Sequence, residues 1–424
     1  KILKKITYKI LKFIIINNYF YKLYLNSPKK IQFEGINNFN PIIQKKKSLQ
    51  LLISIKNNYF SKEPYQTISL QMHSFDWLTD FKLVGGIDLL KKSRMLVLDW
   101  IKCNYKFSSL VWNDIIVARR LINLSINYNF FASTSDTNFK DKINKLVLAH
   151  FRHLSLLKKL QYEKLELDIE ITKTLLVLSK YFSTDRYFNS IVKLIKKQTI
   201  HQINNDGFHK SINVYEQAHF INQLLQIKNI LLFYNNNSFI EIDARINDMT
   251  SLLKNLFHMD SSLALFNGTN NKKIDYVKNI SYLQKDIKIK SLFKVKDGLV
   301  VISLEKTKIF FDITKPNSRL LNKQLHSGTL SFEMSHGGEK IITNCGSPEK
   351  YFGKNQVFFR YSAAHSTIII NDTNIAELSE KNGYKRIPKK IVNTSEELKS
   401  DFILSGSHDG YSKNFGLLIK RIMN

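Results

Sequence analysis

Three stretches carry side chains able to bind an ion, orient a substrate or move a proton. In the first, His326, Asn344 and His365 each lie at or near the end of a short apolar run, within LHSGTLSFEM, KIITNCGS and YSAAHSTIIIND. If those residues sit at strand ends, neighbouring strands bring two imidazoles and an amide together; imidazole is a common metal ligand and an amide oxygen a weaker one. A hydrogen-bonded cluster of the same residues is the alternative, and spacing does not choose between them. In the second stretch, Asn204-Asn-Asp-Gly-Phe-His209 leads to Tyr215-Glu-Gln-Ala-His219, a tight turn opening into a helix that should begin near Asn213. His209, Tyr215 and Asn205 would lie at that helix entrance, whose unpaired N–H groups favour anions. The plainer reading is a turn flanked by a hydrogen-bonded histidine. The third is Arg119-Arg120, able to grip a carboxylate or sulfate with two hydrogen bonds each, or to form the ion pairs usual for a helical arginine.

The elements that would position these residues change character along the chain. From about residue 66 to 260 the apolar period is helical: Phe75, Trp77, Leu78 and Phe81 open one helix, Leu89 to Ile101 a second and Ile115 to Leu124 a third. Val147, Phe151, Leu154 and Leu157, and then Ile242, Ile246, Met249, Leu253 and Leu256, form amphipathic stripes that predict core rather than chemistry. Breaks at Ser133 to Asn138 and Ser183 to Asp185 separate helices, the latter as an N-cap. Asn267-Gly268 marks an exit. Short strands follow at Leu292 to Val295, Leu299 to Leu304 and Ile309 to Ile313, then around Thr329 to Phe332 and Ile341 to Thr343 with Gly337-Gly338 as hairpin turn, and at Lys389 to Val392 and Phe402 to Leu404. Consecutive strands predict an antiparallel β-sandwich rather than βαβ units. The fold class expected is multidomain α+β, with an amino-terminal extension over residues 1–65, an all-α domain over 66–270 and the sandwich over 280–424.

A chain of 424 residues suits two cores. Its net charge of +29 suggests an anionic partner, whether nucleic acid, membrane surface or acidic polymer. The excess is lysine, since only ten of the 64 basic residues are Arg, and the chain is rich in Asn and Ile as AT-rich coding would produce. No zinc-finger, RNP or helix-turn-helix signature accompanies it, so nucleic acid is not the expected partner. Cys103 and Cys345 fall in different expected domains and have no metal-type spacing. No apolar run is long enough to span a bilayer, and Phe13 to Ile16 after the basic Lys1 to Lys5 is too short for a signal peptide. A possible helix over 3 to 25 and a strand at Leu51 to Ile55 would complete the extension.

The motif residues resemble the heparinase II/III family of polysaccharide lyases. The carboxyl-terminal signature is carried by His326-Ser-Gly-Thr-Leu-Ser-Phe-Glu333, Asn344-Cys-Gly346 and Ala364-His-Ser-Thr367. The helical part is carried by His73-Ser-Phe-Asp-Trp-Leu78, Trp100-Ile101, Trp112 through Ala118-Arg119-Arg120-Leu121, Gln202 to Gly207 and Leu263-Ala-Leu-Phe-Asn-Gly268. Together these cover roughly residues 66 to 415. The resemblance implies that the helices form an α/α toroid and that the sandwich is incomplete at Asn424. It also implies that His326, position 344 and His365 meet around a structural zinc ion, with no cofactor required for turnover. Where the family has a His-x-His-x-Asp block and an Asp-x-Gly, this chain has Gln324, Gly328 and Asn344, so the zinc site lacks negative charge. Asn213-Val214 replaces a Ser-Pro pair, and His150 and His153 are the nearest candidates for an expected Asn-His pair.

The activity implied is β-elimination on an anionic, uronate-containing polysaccharide. Such a lyase neutralises the uronate carboxylate with an amide, imidazolium, Arg or metal, then uses Tyr or His to remove the adjacent proton and to protonate the leaving oxygen. By resemblance Tyr215, His209 and His326 are catalytic, and Asn205, Arg119 and Arg120 bind substrate. A cell-envelope or periplasmic location is implied in the same way. The departures at Gln324, Gly328, Asn344 and Val214 motivate a second reading: an acidic-glycan-binding or envelope protein that keeps the fold without turnover.

Overall fold

The computed structural model describes residues 19–27, 33–36, 59–62, 70–106, 111–160, 167–270, 274–281, 291–294, 298–316, 325–348, 356–379, 384–397 and 402–424. The helix expected from residue 3 is described only as α1 (Tyr19–Asn26). Lys1 to Lys5, Phe13 to Ile16, the strand expected at Leu51 to Ile55, and Gln324 lie outside the described residues.

Helices follow the apolar stripes. After α2 (Tyr59–Lys62) and α3 (Leu70–Ser74) come α4 (Trp77–Val84), α5 (Ile87–Asn104), α6 (Asp114–Ile126), α7 (Tyr128–Phe131) and α8 (Thr137–Leu160). They continue as α9 (Ile169–Phe182), α10 (Asp185–Gln202), α11 (Val214–Phe233), α12 (Phe239–Lys254) and α13 (Ile274–Ser281). Their starts are set by side-chain caps that satisfy otherwise orphaned N–H groups: Asn113 accepts from Ile115 and Ile116, Asp136 from Phe139, Asp168 from Glu170, and the Thr184 hydroxyl from Tyr187. The stripe residues of α8 and α12 are buried as their spacing required.

Two compact units result, Lys1–Gln198 with Gln226–Phe239, and Thr199–Leu225 with Ile240–Asn424. In the first, α1 packs on α8: the Tyr21 hydroxyl meets His153 Nδ1, and Arg152 donates to the Leu25 carbonyl at 3.0 Å. The centre of this unit holds Arg120, fully buried over the Trp100 ring at 4.0 Å. Its guanidinium donates to His150 Nε2 at 2.9 Å, the His73 carbonyl at 2.7 Å and the Val111 carbonyl at 3.2 Å. His150 in turn stacks on Trp112 with centroids 4.6 Å apart. Arg119, by contrast, is part-exposed and paired with Asp76. Arg120→Met leaves three buried acceptors unmet and is expected to cost about 3 kcal/mol or more, against about 1 kcal/mol or less for Arg119→Ala. Denaturant titration of both variants checks this, and equal losses would contradict it.

The second unit turns to strand after Ser281. Five strands, β1 (Leu292–Lys294), β2 (Leu299–Ser303), β3 (Thr307–Asp312), β4 (Phe332–His336) and β5 (Glu339–Ile342), form an antiparallel sheet in sequence order. The β4–β5 hairpin turns at Gly337 and Gly338, with φ of 56° and 91°, a conformation that glycine adopts without strain. A pair, β6 (Glu377–Leu378) and β7 (Tyr384–Arg386), follows. Then come β8 (Ile391–Glu397), β9 (Phe402–His408) and β10 (Ile419–Met423) as a three-stranded sheet in order β10-β9-β8, with a short α14 (Ser412–Phe415) before the last. One face of the larger sheet, through Val300, Ile302 and Phe311, packs with Leu330 on Leu404 of β9. Gly406 makes that approach possible, because a Cβ there would stand 2.4 Å from Leu330 Cδ2. The opposite face, carrying Val301, Lys308, Phe310, Asp312, Glu333 and Ser335, is also buried.

Candidate functional site

The start of α11 and the backbone of His326 are both bonded to one short segment, Leu263 to Thr269. The turn before α11 is folded by Asn204, whose Oδ1 accepts from Asp206 and Phe208, and Asn205 stands exposed at its tip. Helix α11 begins at Val214, as expected, but its entrance is closed to anions. Asn213 Oδ1 accepts from the N–H groups of Tyr215 and Glu216 at 2.8 and 3.1 Å, Thr269 Oγ1 from Val214 at 3.2 Å, and the Asn213 carbonyl from Gln217 at 2.9 Å. With the first-turn donors used inside the protein, the expectation of an anion-binding helix entrance is overturned.

His209 is likewise turned inward. It is buried, its Nδ1 meets the Ser211 hydroxyl at 2.7 Å, and its Nε2 faces Gln202 Oε1 at 3.4 Å. Gln217 fixes the loop by accepting the His209 N–H and donating to the carbonyls of Gly207 and Met249. A proton carrier needs an exposed nitrogen, so the structure gives His209 a supporting place rather than the catalytic one expected. Tyr215 is half-buried on the open side of α11. Its ring lies parallel to that of His219 with centroids 6.1 Å apart and 5.7 Å from the ring of Tyr276.

The three sheet-side residues do meet. His326 Nδ1 and His365 Nε2 are 3.2 Å apart, and Asn344 Oδ1 accepts the Ser366 N–H at 2.9 Å beside them. They are not all at strand ends, however. His326 lies in the loop before β4, and His365 closes a 3-10 turn over Ser362–Ala364. Asn344 alone follows a strand directly. The close packing explains Gly328: a Cβ there would stand 3.0 to 3.2 Å from ring atoms of His365.

Segment 263–269 joins this cluster to α11. Asn267 Oδ1 accepts the His326 N–H at 3.0 Å while its carbonyl accepts from Asn213 Nδ2 at 3.0 Å. The Thr269 carbonyl accepts from Ser347 at 2.9 Å. A further node was not expected from sequence: Glu333 and His258, both with fully buried side chains, are bonded at 2.8 Å. Glu333 also accepts from the Leu265 and Asn344 N–H groups at 3.1 and 2.8 Å, and His258 meets Ser335 at 2.9 Å. Glu333 was legible only as the inward position of β4, on the same face as Ser335.

Electrostatics follow burial. Desolvation holds His326 well below the ordinary imidazole range, with His365 and Arg360 adding to it, and holds His365 at about 4. It pushes the Tyr276 hydroxyl up, Tyr215 adding to the rise. Elsewhere burial lowers His73, His209 and His408 to about 4 and His150 further, while Asp312 rises to about 7. Histidines with depressed folded-state values contribute stability that is present above about 6.5 and lost as pH falls toward about 4; Asp312 acts in the opposite sense, losing stability as pH rises toward about 7. Six histidines outweigh one carboxyl, so the unfolding midpoint is expected to fall between pH 6.5 and 4. A midpoint that rises across that window, measured by circular dichroism, would contradict the assignment.

Comparison with known proteins bears on this arrangement. Residues 293–424 match the family described as Heparinase II/III-like, C-terminal. This region therefore carries a domain of the heparinase II/III-like carboxyl-terminal type. The crystal structure of heparan sulfate lyase HepC from Pedobacter heparinus superposes with a TM-score of 0.61 at 14% identity, covering 98% of this chain and 74% of that one. A crystal structure of heparinase III gives a TM-score of 0.64 at 14% identity, covering 92% of this chain and 74% of that one. The fold is thus the family's helical toroid with an antiparallel β-sandwich. No curated protein matches in sequence. Among the described residues no helix is long and apolar enough to cross a membrane.

The zinc ion that the family implies finds a poor donor set. The two imidazoles already face each other at hydrogen-bonding distance, Asn344 Oδ1 is engaged by Ser366, and Gly328 offers no side chain. Among the described residues no group of three His, Cys, Asp or Glu side chains could hold a metal. A closed structural site takes four protein ligands. Metal analysis of purified protein is therefore expected to give well below one equivalent of zinc, and a chelator to leave the unfolding midpoint unchanged. Stoichiometric zinc lost on His365→Ala would contradict this.

Proposed function

We propose that the chain is a polysaccharide lyase acting by β-elimination on an anionic, uronate-containing polysaccharide, with no metal required. The observation that carries this reading is the placement of Tyr215 on the open side of α11, whose cap Asn213 is bonded through Asn267 to the backbone of His326. A phenol is thereby held in a hydrogen-bonded frame shared with the sheet-side cluster. The likeness to a heparan sulfate lyase and the net charge of +29 support an acidic polymer as substrate. A cell-envelope or periplasmic location belongs to the same proposal. Arg120 takes no part in it, being sealed in the first unit, and Arg119 is engaged with Asp76. The test is ultraviolet absorbance of the new double bond on a panel of uronate polymers. Absorbance that grows with time on at least one supports the lyase; none on any would sink it.

The alternative, an acidic-glycan-binding protein without turnover, is favoured by Gly328 and Asn344, which remove the family's carboxylates. Retained glycan binding by a wild type that forms no product would establish it.

A further inference from the structure

One buried cation of the second unit has no counter-ion among the described residues. Lys308 of β3 is 3% exposed, and its side chain makes no hydrogen bond or ion pair there, only the approach of Nζ to 5.5 Å from the Phe310 ring centroid. Burial lowers its amine to about 8, so at neutral pH the group is still mainly an ammonium. Its cross-strand neighbours are Ser303 of β2 and Ser335 of β4. Ser335 is engaged by His258 Nδ1 at 2.9 Å, whereas the Ser303 hydroxyl is buried without a partner. Neither carboxylate of this face pairs with the amine. Glu333 has both oxygens engaged, by His258 and Leu265 on one and by Asn344 and Thr343 on the other. Asp312 lies four residues along β3, about 13 Å away by the rise of a strand. A buried ammonium and a buried hydroxyl thus stand side by side, their Cβ atoms about 5 Å apart as cross-strand partners, each lacking an acceptor. Buried polar groups in that state are rare and need an explanation.

We propose that Ser303 and Lys308 form a binding site for one small oxyanion, a free carboxylate, sulfate or phosphate, on the face of the larger sheet opposite Val300, Ile302 and Phe311. A protonated amine carries three donors and no acceptor, and a serine hydroxyl with no other bond can turn its proton to the same anion. Hydrogen bonds from an ammonium to an oxyanion are among the strong ones, and an anion at this place offsets the cost of holding an unpaired charge away from water. The Phe310 ring compensates the cation only in part, since an aromatic face attracts it more weakly than a full negative charge does. Lys340, opposite Ser335 on the next strand, is turned to the Leu263 carbonyl, to which it donates at 3.2 Å, and supplies no acceptor. The site stands apart from the elimination: neither of its residues takes part in that chemistry, and the lyase reading holds or fails without it.

The experiment is calorimetric titration of the full chain with sodium acetate, sulfate and phosphate at constant ionic strength. One equivalent of at least one of them is expected to bind, with Kd raised about tenfold or more in Lys308→Met, which loses a charged donor. Methionine keeps the length and removes the buried charge, a change that buried ionic sites often tolerate, and circular dichroism checks that the variant folds. Ser303→Ala removes a single oxygen and is expected to weaken binding by about 3- to 10-fold, so it carries the test should Lys308→Met not fold. The bound anion should also raise the unfolding midpoint of the wild type more than that of Lys308→Met. Sulfate and phosphate strengthen apolar burial in any protein, so a rise of equal size in both chains is that general effect and overturns the site. Binding of none of the three anions overturns it, as does a Kd that neither substitution changes.

Discussion

Tyr215→Phe is expected to lower kcat on an acidic polysaccharide by about 10²- to 10⁴-fold, the usual worth of a positioned proton donor. The substitution removes one hydroxyl and keeps the ring, so the contacts with His219 and Tyr276 survive, as does the backbone cap from Asn213. Substrate binding should therefore change little, and kcat and kcat/KM should fall together, the signature of an interaction made only in the transition state. Product absorbance under saturating and limiting substrate measures both constants. A variant with raised KM and unchanged kcat would instead make Tyr215 a binding residue and move the proton donor elsewhere.

The largest loss of stability is expected from Glu333→Ala. The carboxylate, fully buried, receives His258 Nε2 and the Leu265 N–H on one oxygen, and the Asn344 N–H and Thr343 hydroxyl on the other. Alanine leaves the Leu265 and Asn344 N–H groups and His258 Nε2 without their acceptor, Ser335 alone remaining on the imidazole, and opens a cavity beside Phe310, whose ring lies 4.6 Å from that of His258. Breaking a buried pair costs about 3–5 kcal/mol, a large part of the 5–15 kcal/mol that holds an ordinary domain together. Hydrogen exchange should show the loss first at the amides of Leu265 and Asn344. Glu333→Gln retains the shape and one acceptor oxygen, so it should fall between the wild type and alanine. Equal protection at those amides in wild type and Glu333→Ala would show that the node is not what joins segment 263–269 to the sheet.

Periodicity exposed the parts of the fold that depend on it. The stripes of α8 and α12, the strands β2 and β3, and the Gly337-Gly338 hairpin are local patterns, read correctly because their residues need no distant partner to be recognised. The site was harder. Asn213 was legible as a helix start, but its use as a cap for two N–H groups also closes the entrance, and Thr269, 55 residues beyond Val214, completes that closure. The run Ile368 to Ile370 looks like strand, yet Ile368 and Ile369 are 40% and 39% exposed and form no strand, so His365 sits after a 3-10 turn instead. Glu333 and Arg120 carry charges that composition assigns to the surface; only tertiary partners bury them. Tyr276, whose ring lies against that of Tyr215, comes from another helix and had no signal beside it.

The most direct test of the central claim is digestion of a uronate polymer in water enriched in oxygen-18, followed by mass spectrometry of the fragments. Elimination breaks the C–O bond without adding water, so the account predicts fragments with an unsaturated end and no label. Saturated fragments carrying one heavy oxygen would show hydrolysis and contradict it.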